Sequence, residues 1–189
     1  MAYNLKDVFY LSTSATVASG TANGGSAQLD LSAYIDPIAR GRSKGTGLAI
    51  YKVDWQIAAD TKSEPIDDAE VGVMSYGLLA GAGLGDTATG GFVPADYSLA
   101  MTNALLVSSG QFYGPKSQIA NACTTVSMIT PGVDPTKDVP YVIVRDNVCL
   151  VYQVADNFTA NANISVRLEV AQVTLDQATL NQLLRTQTV

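Results

Sequence analysis

The densest chemistry in this chain is a run of carboxylates. Asp60, Glu64, Asp67, Asp68 and Glu70 crowd one short stretch, with Lys62 and Pro65 among them. A calcium loop places oxygen donors at alternate positions, turns on a central glycine and closes with a bidentate glutamate. This stretch does none of these things, so a solvated acidic loop is the expectation. Asp54 and Glu169 fall on the polar faces of strand-like stretches and could meet. Glycoside hydrolysis needs such a pair set in a cleft, but any β protein offers carboxylates on polar strand faces. Ser43-Lys44 puts a hydroxyl beside an amine, yet adjacent residues of an extended chain point to opposite sides. The sequence has no histidine, which removes the commonest general base and the commonest transition-metal ligand. No Ser-His or Cys-His pair can be drawn. The expectation is no catalytic residue, no metal, no cofactor and no enzyme.

Gly81-Ala82-Gly83-Leu84-Gly85-Asp86 follows a strand-like stretch and invites comparison with a dinucleotide fingerprint. The third glycine of that motif falls on Asp86, and Thr87 to Pro94 is too rich in Thr, Gly and Pro to open a helix. A glycine-rich loop between strands is the better account. Cys123 and Cys149 are far apart and neither sits in a CxxC pair. An inter-strand disulfide stays open, and two buried free thiols are preferred. Asn157-Phe158-Thr159 and Asn163-Ile164-Ser165 match glycosylation acceptors, but the first seven residues lack a basic stretch followed by an apolar core. A usual signal peptide is therefore not expected, and the two matches read as chance. No apolar run approaches the length of a membrane span.

The formal net charge is −6 and the sequence pI about 4.4. Arg40, Arg42 and Lys44 form the one local basic group, so direct nucleic-acid binding, which draws on neutralised phosphates, is not expected. Only 15% of residues are charged while 47% are hydrophobic, against about 25% charged in an average domain. The polar remainder is largely neutral. Either the surface is simply quiet, or much of it is covered when copies pack together.

The elements that would carry these residues are strands. Asp7 to Leu11, Ala27 to Leu31, Leu48 to Ala58, Val71 to Ala80, Thr124 to Thr130, Tyr141 to Val144, Val148 to Val154 and Ile164 to Val170 all read as extended. Ile164, Val166, Leu168 and Val170 share one face, with Ser165, Arg167 and Glu169 on the other. The Val148 strand is apolar on both faces, so it should be central. In the Leu48 strand, Ala49, Tyr51, Val53, Trp55 and Ile57 share one apolar parity, which makes Trp55 a core residue. Ser12 to Ser26 reads as an arm or loop of low order, and Ser32 to Gly47 as a loop with Tyr34 and Ile35 tucked inward. Asp96 could cap a short helix running through Val107 and ended by Ser108-Ser109-Gly110, with Gln111 to Tyr113 extended after it. Thr174-Leu175-Asp176-Gln177 fits a capping box for a terminal helix carrying Leu180, Leu183 and Leu184, which must dock on its own domain or on a neighbour. The count gives an all-β, eight-stranded antiparallel β-sandwich, a single jelly roll, with a short C-terminal helix. The expected parts are 1–26 as strand and arm, 27–175 as the jelly roll and 176–189 as helix and tail.

Taken whole, the chain resembles the single jelly-roll major capsid proteins of tailless icosahedral DNA viruses of archaea and bacteria. The small-residue arm Ser12–Ser26, the segment Ala27-Gln28-Leu29-Asp30-Leu31-Ser32-Ala33-Tyr34-Ile35-Asp36-Pro37 and the closing pair Asn147–Val154 and Asn163–Leu175 carry the likeness. It implies a structural virion protein, assembled in the host cytoplasm, whose partners are other copies of itself. A second capsid or vertex protein and an internal membrane are further partners it implies. It would place residues 80–91 and 60–70 on the outer surface or at subunit contacts. The competing expectation is a jelly-roll carbohydrate- or receptor-binding module without catalytic activity, presenting Tyr76, Phe92, Tyr97, Phe112 and Tyr113.

Overall fold

The computed structural model describes residues 8–20, 24–36, 44–59, 62, 64, 66, 72–81, 99–114, 128–156, 158 and 160–187. In chain order the elements are β1 (Val8–Val17), β2 (Gly25–Asp30), β3 (Lys44–Ala58), β4 (Val73–Ala80), β5 (Leu106–Tyr113), β6 (Met128–Pro131), β7 (Tyr141–Ile143), β8 (Asn147–Asp156), β9 (Ala162–Asp176) and α1 (Gln177–Thr186). The strands form a four-stranded sheet in the order β1-β9-β3-β7 and a five-stranded sheet in the order β2-β8-β4-β5-β6. Every pairing is antiparallel. The first strand pairs with the last, the second with the eighth, the third with the seventh and the fourth with the fifth. That nested order is a long hairpin rolled into two sheets, which is a jelly roll. β6 is a ninth strand added at the edge of the second sheet, beyond the eight expected.

One apolar cluster fills the space between the sheets. β9 contributes Ile164, Val166, Leu168 and Val170, as its alternation requires, and β8 contributes Val148, Leu150, Tyr152 and Val154. β8 lies between β2 and β4, and its other face, Cys149 and Val151, is buried with Leu79, Leu106, Leu99 and Val133. A central strand apolar on both faces is thus covered within its own chain. Ile35 is buried, and Tyr34 packs on Phe9 with ring centroids 5.0 Å apart.

Across the five-stranded sheet runs a row of four residues in register. Gly25 of β2 faces Tyr152 of β8, Tyr152 faces Tyr76 of β4, and Tyr76 faces Gly110 of β5. Each tyrosine lies over its glycine: a Cβ on Gly25 would sit 2.6 Å from Tyr152 Cζ, and one on Gly110 2.6 Å from Tyr76 Cζ. The missing side chains are what let two large rings lie flat within one layer. The Tyr152 hydroxyl reaches over Gly25 to donate to the Thr16 carbonyl of β1 at 2.9 Å, tying the two sheets together at that side.

Several expectations are corrected. The single parity of β3 fails because the β3–β9 register shifts between Ile50 and Lys52. Leu48 and Ile50 point inward before the bulge, and Val53, Trp55 and Ile57 after it. Ala49 and Tyr51 lie on the outer face with Ala171, flanked by Val8, Val142 and Val173. An extra residue in an apolar stretch leaves no mark on the hydrophobic pattern. Residues 12–17 belong to β1 rather than to an arm, because their small Ser, Thr and Ala side chains pair along β9 from Arg167 to Ala162. No helix runs through Val107. Residues 99–105 are turns and Leu106 opens β5, while Ser108 to Gly110 lie in mid-strand paired with β4; residues 94–98 lie outside the described residues. The helix cap is Asp176 rather than Thr174, its carboxylate accepting from Thr179 N at 2.8 Å. β9 stays paired with β3 as far as Asp176, so sheet pairing overrides the capping box.

Replacing Gly110 with alanine should cost about 1–3 kcal/mol in urea unfolding, since a rigid ring must move. Ser14→Ala on the exposed face of β1 should stay within about 0.5 kcal/mol.

Candidate functional site

A chain of polar contacts at the edge of the core joins three strands to one loop. Trp55 of β3 packs on Tyr76 of β4 with ring centroids 4.6 Å apart. Its indole N–H donates to Ser108 Oγ of β5 at 2.8 Å. The Ser108 hydroxyl in turn donates to the carboxylate of Asp134, in the connection between β6 and β7. Backbone bonds fasten that connection: Gly132 N donates to Ser109 O and Ser109 N to Val133 O, each at 2.8 Å. Further along, Lys137 pairs with Glu169 of β9 at 3.4 Å. Trp55 packs against the core cluster from the inward face, half-buried, with its indole N–H turned to this polar chain.

A serine beside a carboxylate is half of a nucleophilic constellation. Here the hydroxyl has no imidazole, gives its proton to Asp134 and accepts from Trp55. Ser108 is also fully buried. The arrangement holds a loop and orients an indole; it does not present a nucleophile to substrate. Burial pushes the Asp134 carboxyl above its ordinary value, the Ser108 hydrogen bond pulls the other way, and the charge of Asp54 adds to the upward shift. The Tyr76 hydroxyl is pushed up to about 12, mainly by burial and then by Asp134, so it stays neutral at any ordinary pH.

Asp54 and Glu169 share the outer face of the four-stranded sheet, where Lys52 faces Glu169 and Asp54 faces Arg167. Both are spoken for: Lys52 Nζ lies 2.6 Å from Asp54, and Glu169 holds Lys137. Asp54 is half-exposed on that face, while Glu169 is largely covered. Arg167 lies 4.0 Å from the Tyr10 ring centroid on the same face.

Of the acidic stretch, Asp60, Asp67, Asp68 and Glu70 lie outside the described residues; the Glu64 carbonyl accepts from Ala59 N at 2.9 Å. No group of three or more potential metal ligands occurs among the described residues. Arg40, Arg42, Ser43, Cys123, Asn157, Phe92, Tyr97 and residues 82–91 also lie outside them, while Lys44 opens β3. Gly81 is described and takes a φ of +151°, a conformation that favours glycine, at the turn out of β4. Cys149 is a free, buried thiol, pushed up to about 11 by burial despite a hydrogen bond with Ser26. Asn163 is buried in β9 and donates to Ser165 Oγ at 3.0 Å. Of the aromatics offered as a binding surface, Tyr76 and Phe112 are buried and Tyr113 is half-exposed, its hydroxyl donating to Gln111 Oε1. The outer face of the five-stranded sheet carries an open, uncharged groove of about 270 Å³, lined by Ser75, Leu99, Met101, Ser109, Gln111 and Gly132 among others.

Sequence reasoning missed Ser108 and Asp134. On local pattern the first reads as the end of a helix and the second as a turn, and no such pattern joins residues brought together only by sheet pairing.

No family model matches the chain, and no curated protein matches it in sequence. Among solved structures, VP1 of Trichodysplasia spinulosa-associated polyomavirus, in complex with GM1 oligosaccharide, is similar at a TM-score of 0.46 with 8% identity, over 93% of this chain and 97% of that one. Merkel cell polyomavirus VP1, in complex with disialyllactose, is similar at 0.42 with 7% identity, over 93% and 98%. The unassembled VP1 pentamer of Washington University polyomavirus, an R198K mutant, gives 0.39 with 10% identity, over 93% and 95%. The jelly-roll assignment of this chain rests on its own strand order.

The folded value of Asp134 lies above that of an unfolded carboxyl, so what this group adds to stability is fully present below the unfolded value and is lost as pH rises through the folded one. Asp134→Asn keeps an acceptor for Ser108 without the partly desolvated charge. It should raise the Tm slightly at pH 7, and the gain should vanish near pH 3; calorimetry across that range reads both. With Cys123 replaced by serine, Cys149 should resist an aromatic disulfide reagent at pH 8 until denaturant is added.

Proposed function

We propose that this chain is a structural virion protein, a major capsid protein whose copies assemble into the capsomers of an icosahedral shell. The observation that carries this reading is the complete jelly-roll order of the two sheets, built by a chain of low charge. A shell protein needs repeated, modest contacts on a rigid frame rather than a reactive pocket. The described residues supply such a frame: the core hydroxyl nearest a carboxylate is sealed, and the paired carboxylates of the outer face are neutralised by lysines. On this reading the partners are other copies of the chain, joined by a second capsid or vertex protein and an internal membrane. The protein would be made and assembled in the cytoplasm of an archaeal or bacterial host. Residues 80–91 and 60–70 would lie on the outer surface or at subunit contacts, and nucleic acid would not be bound directly.

The competing reading is a binding module. Its one structural support is the uncharged groove on the five-stranded sheet, and the burial of Tyr76 and Phe112 counts against it.

Light scattering and negative-stain electron microscopy of the purified chain separate the two. Discrete multimers or closed shells are expected. A clean monomer at about 100 μM, with saturable binding to a glycan array, would overturn the capsid reading.

A further inference from the structure

The two sheets carry different chemistry on their outer faces. The ion pairs among the described residues, Lys52–Asp54 and Lys137–Glu169, both involve the four-stranded sheet. On the five-stranded sheet, Gln153 of β8 faces Ser75 of β4, and Ser75 faces Gln111 of β5. A row of neutral polar side chains thus crosses three strands in register. Gln153 and Ser75 are half-buried and Gln111 is exposed. The next row on that face is Val151, Gly77 and Ser109. Gly77 leaves a space that Leu99 fills: a Cβ there would sit 2.6 Å from Leu99 Cδ2.

Leu99 and Met101 therefore stand beside Ser75, Ser109 and Gln111, and the groove of about 270 Å³ lies between the apolar and the polar side chains. Met101 is 72% exposed. Tyr113 lies two residues beyond Gln111 on the same face, and its hydroxyl donates to Gln111 Oε1 at 2.8 Å. That contact holds the amide carbonyl and leaves the amide N–H groups for another acceptor.

This lining selects among occupants. The described residues that line the groove carry no charge, so an ionic ligand would lose water without gaining a counter-ion. A purely apolar ligand would cover Ser75, Ser109 and Gln111 and leave them unpaired. An extended peptide is held through a free sheet edge and a helix through an apolar groove. This groove instead crosses β4 and β5, each already paired on both sides. A neutral sugar meets every condition. Its hydroxyls donate and accept, as amide and hydroxyl side chains do, and its C–H faces can rest on Leu99 and Met101. We propose that the groove binds a neutral oligosaccharide, with Gln111 and Ser75 as its principal hydrogen-bonding groups. The groove belongs to a single chain, so the proposal stands apart from shell formation.

Saturation-transfer-difference NMR on the full chain tests this, because it reads the ligand and serves monomers and particles alike. The probes are maltohexaose, cellohexaose, xylohexaose and mannohexaose, with hexagalacturonate as the charged control. At least one neutral probe should give a saturable signal by about 10 mM, and the uronate none. Gln111→Ala, at an exposed position, should weaken that binding about fivefold, the effect of losing its hydrogen bonds. Ser75→Glu puts a charge into the groove and should abolish binding, while Ser14→Ala on the other sheet should leave it unchanged. Circular dichroism establishes that each variant remains folded. No saturable signal from any neutral probe, or binding that Gln111→Ala and Ser75→Glu leave intact, overturns the proposal. Multimers that bind none of the sugars would leave the capsid reading standing and remove this one. Binding by a chain that also assembles supports both.

Discussion

Two tyrosines lying over two glycines set the geometry on which the rest of this molecule depends. Tyr152 and Tyr76 stand side by side on neighbouring central strands, and Gly25 and Gly110 flank them on the next strands out. Large rings in adjacent strands normally compete for the same inter-sheet space. With glycine beyond each, the rings splay outward instead of upward, and the layer stays thin enough for Trp55 of the opposite sheet to pack on Tyr76. A one-residue slip of β8 or β4 would turn its tyrosine to the outer face, and a slip of β2 or β5 can put a side chain under a ring. The row therefore fixes register for four of the five strands of that sheet.

The consequences run to both sides of the sandwich. On one side the Tyr152 hydroxyl ties Gly25 and β1 together through the Thr16 carbonyl. On the other, Trp55 hands its N–H to Ser108, and Ser108 holds Asp134 and so the connection into β7. β7 is short and is completed by Gln187 at the far end of the chain. Polar side chains are thus spent on fastening loops and edges to a rigid frame.

Much of this was legible in the sequence where a strand has one dry face. β9 alternates cleanly, and its four inward residues are buried as their spacing demands. β8, apolar on both faces, is central for the same reason. Legibility failed where the pattern has no contrast. Leu48 to Tyr51 is uninterrupted apolar sequence, so a bulge that moves Ala49 and Tyr51 to the outer face left no trace. Residues 106–110, Leu-Val-Ser-Ser-Gly, look like the end of a helix; only pairing with β4 makes them a strand, and the glycine that seemed a terminator is there to accommodate Tyr76. Thr174 makes a sound helix cap on local rules, yet the ladder with β3 holds the chain extended for two residues more. The Ser108–Asp134 and Gln187–β7 contacts join residues with no local relation, and nothing short of the topology could reveal them.

The register of the row can be read directly by NMR. A tyrosine ring held flat over a glycine shifts that glycine's Hα resonances upfield, so Gly25 and Gly110 should both show Hα shifts well below random-coil values. Each should return toward random coil when its own tyrosine, Tyr152 or Tyr76, is replaced by leucine. Unshifted Hα resonances at both glycines in the folded parent chain would contradict the account, because the sheet would then be held in another register.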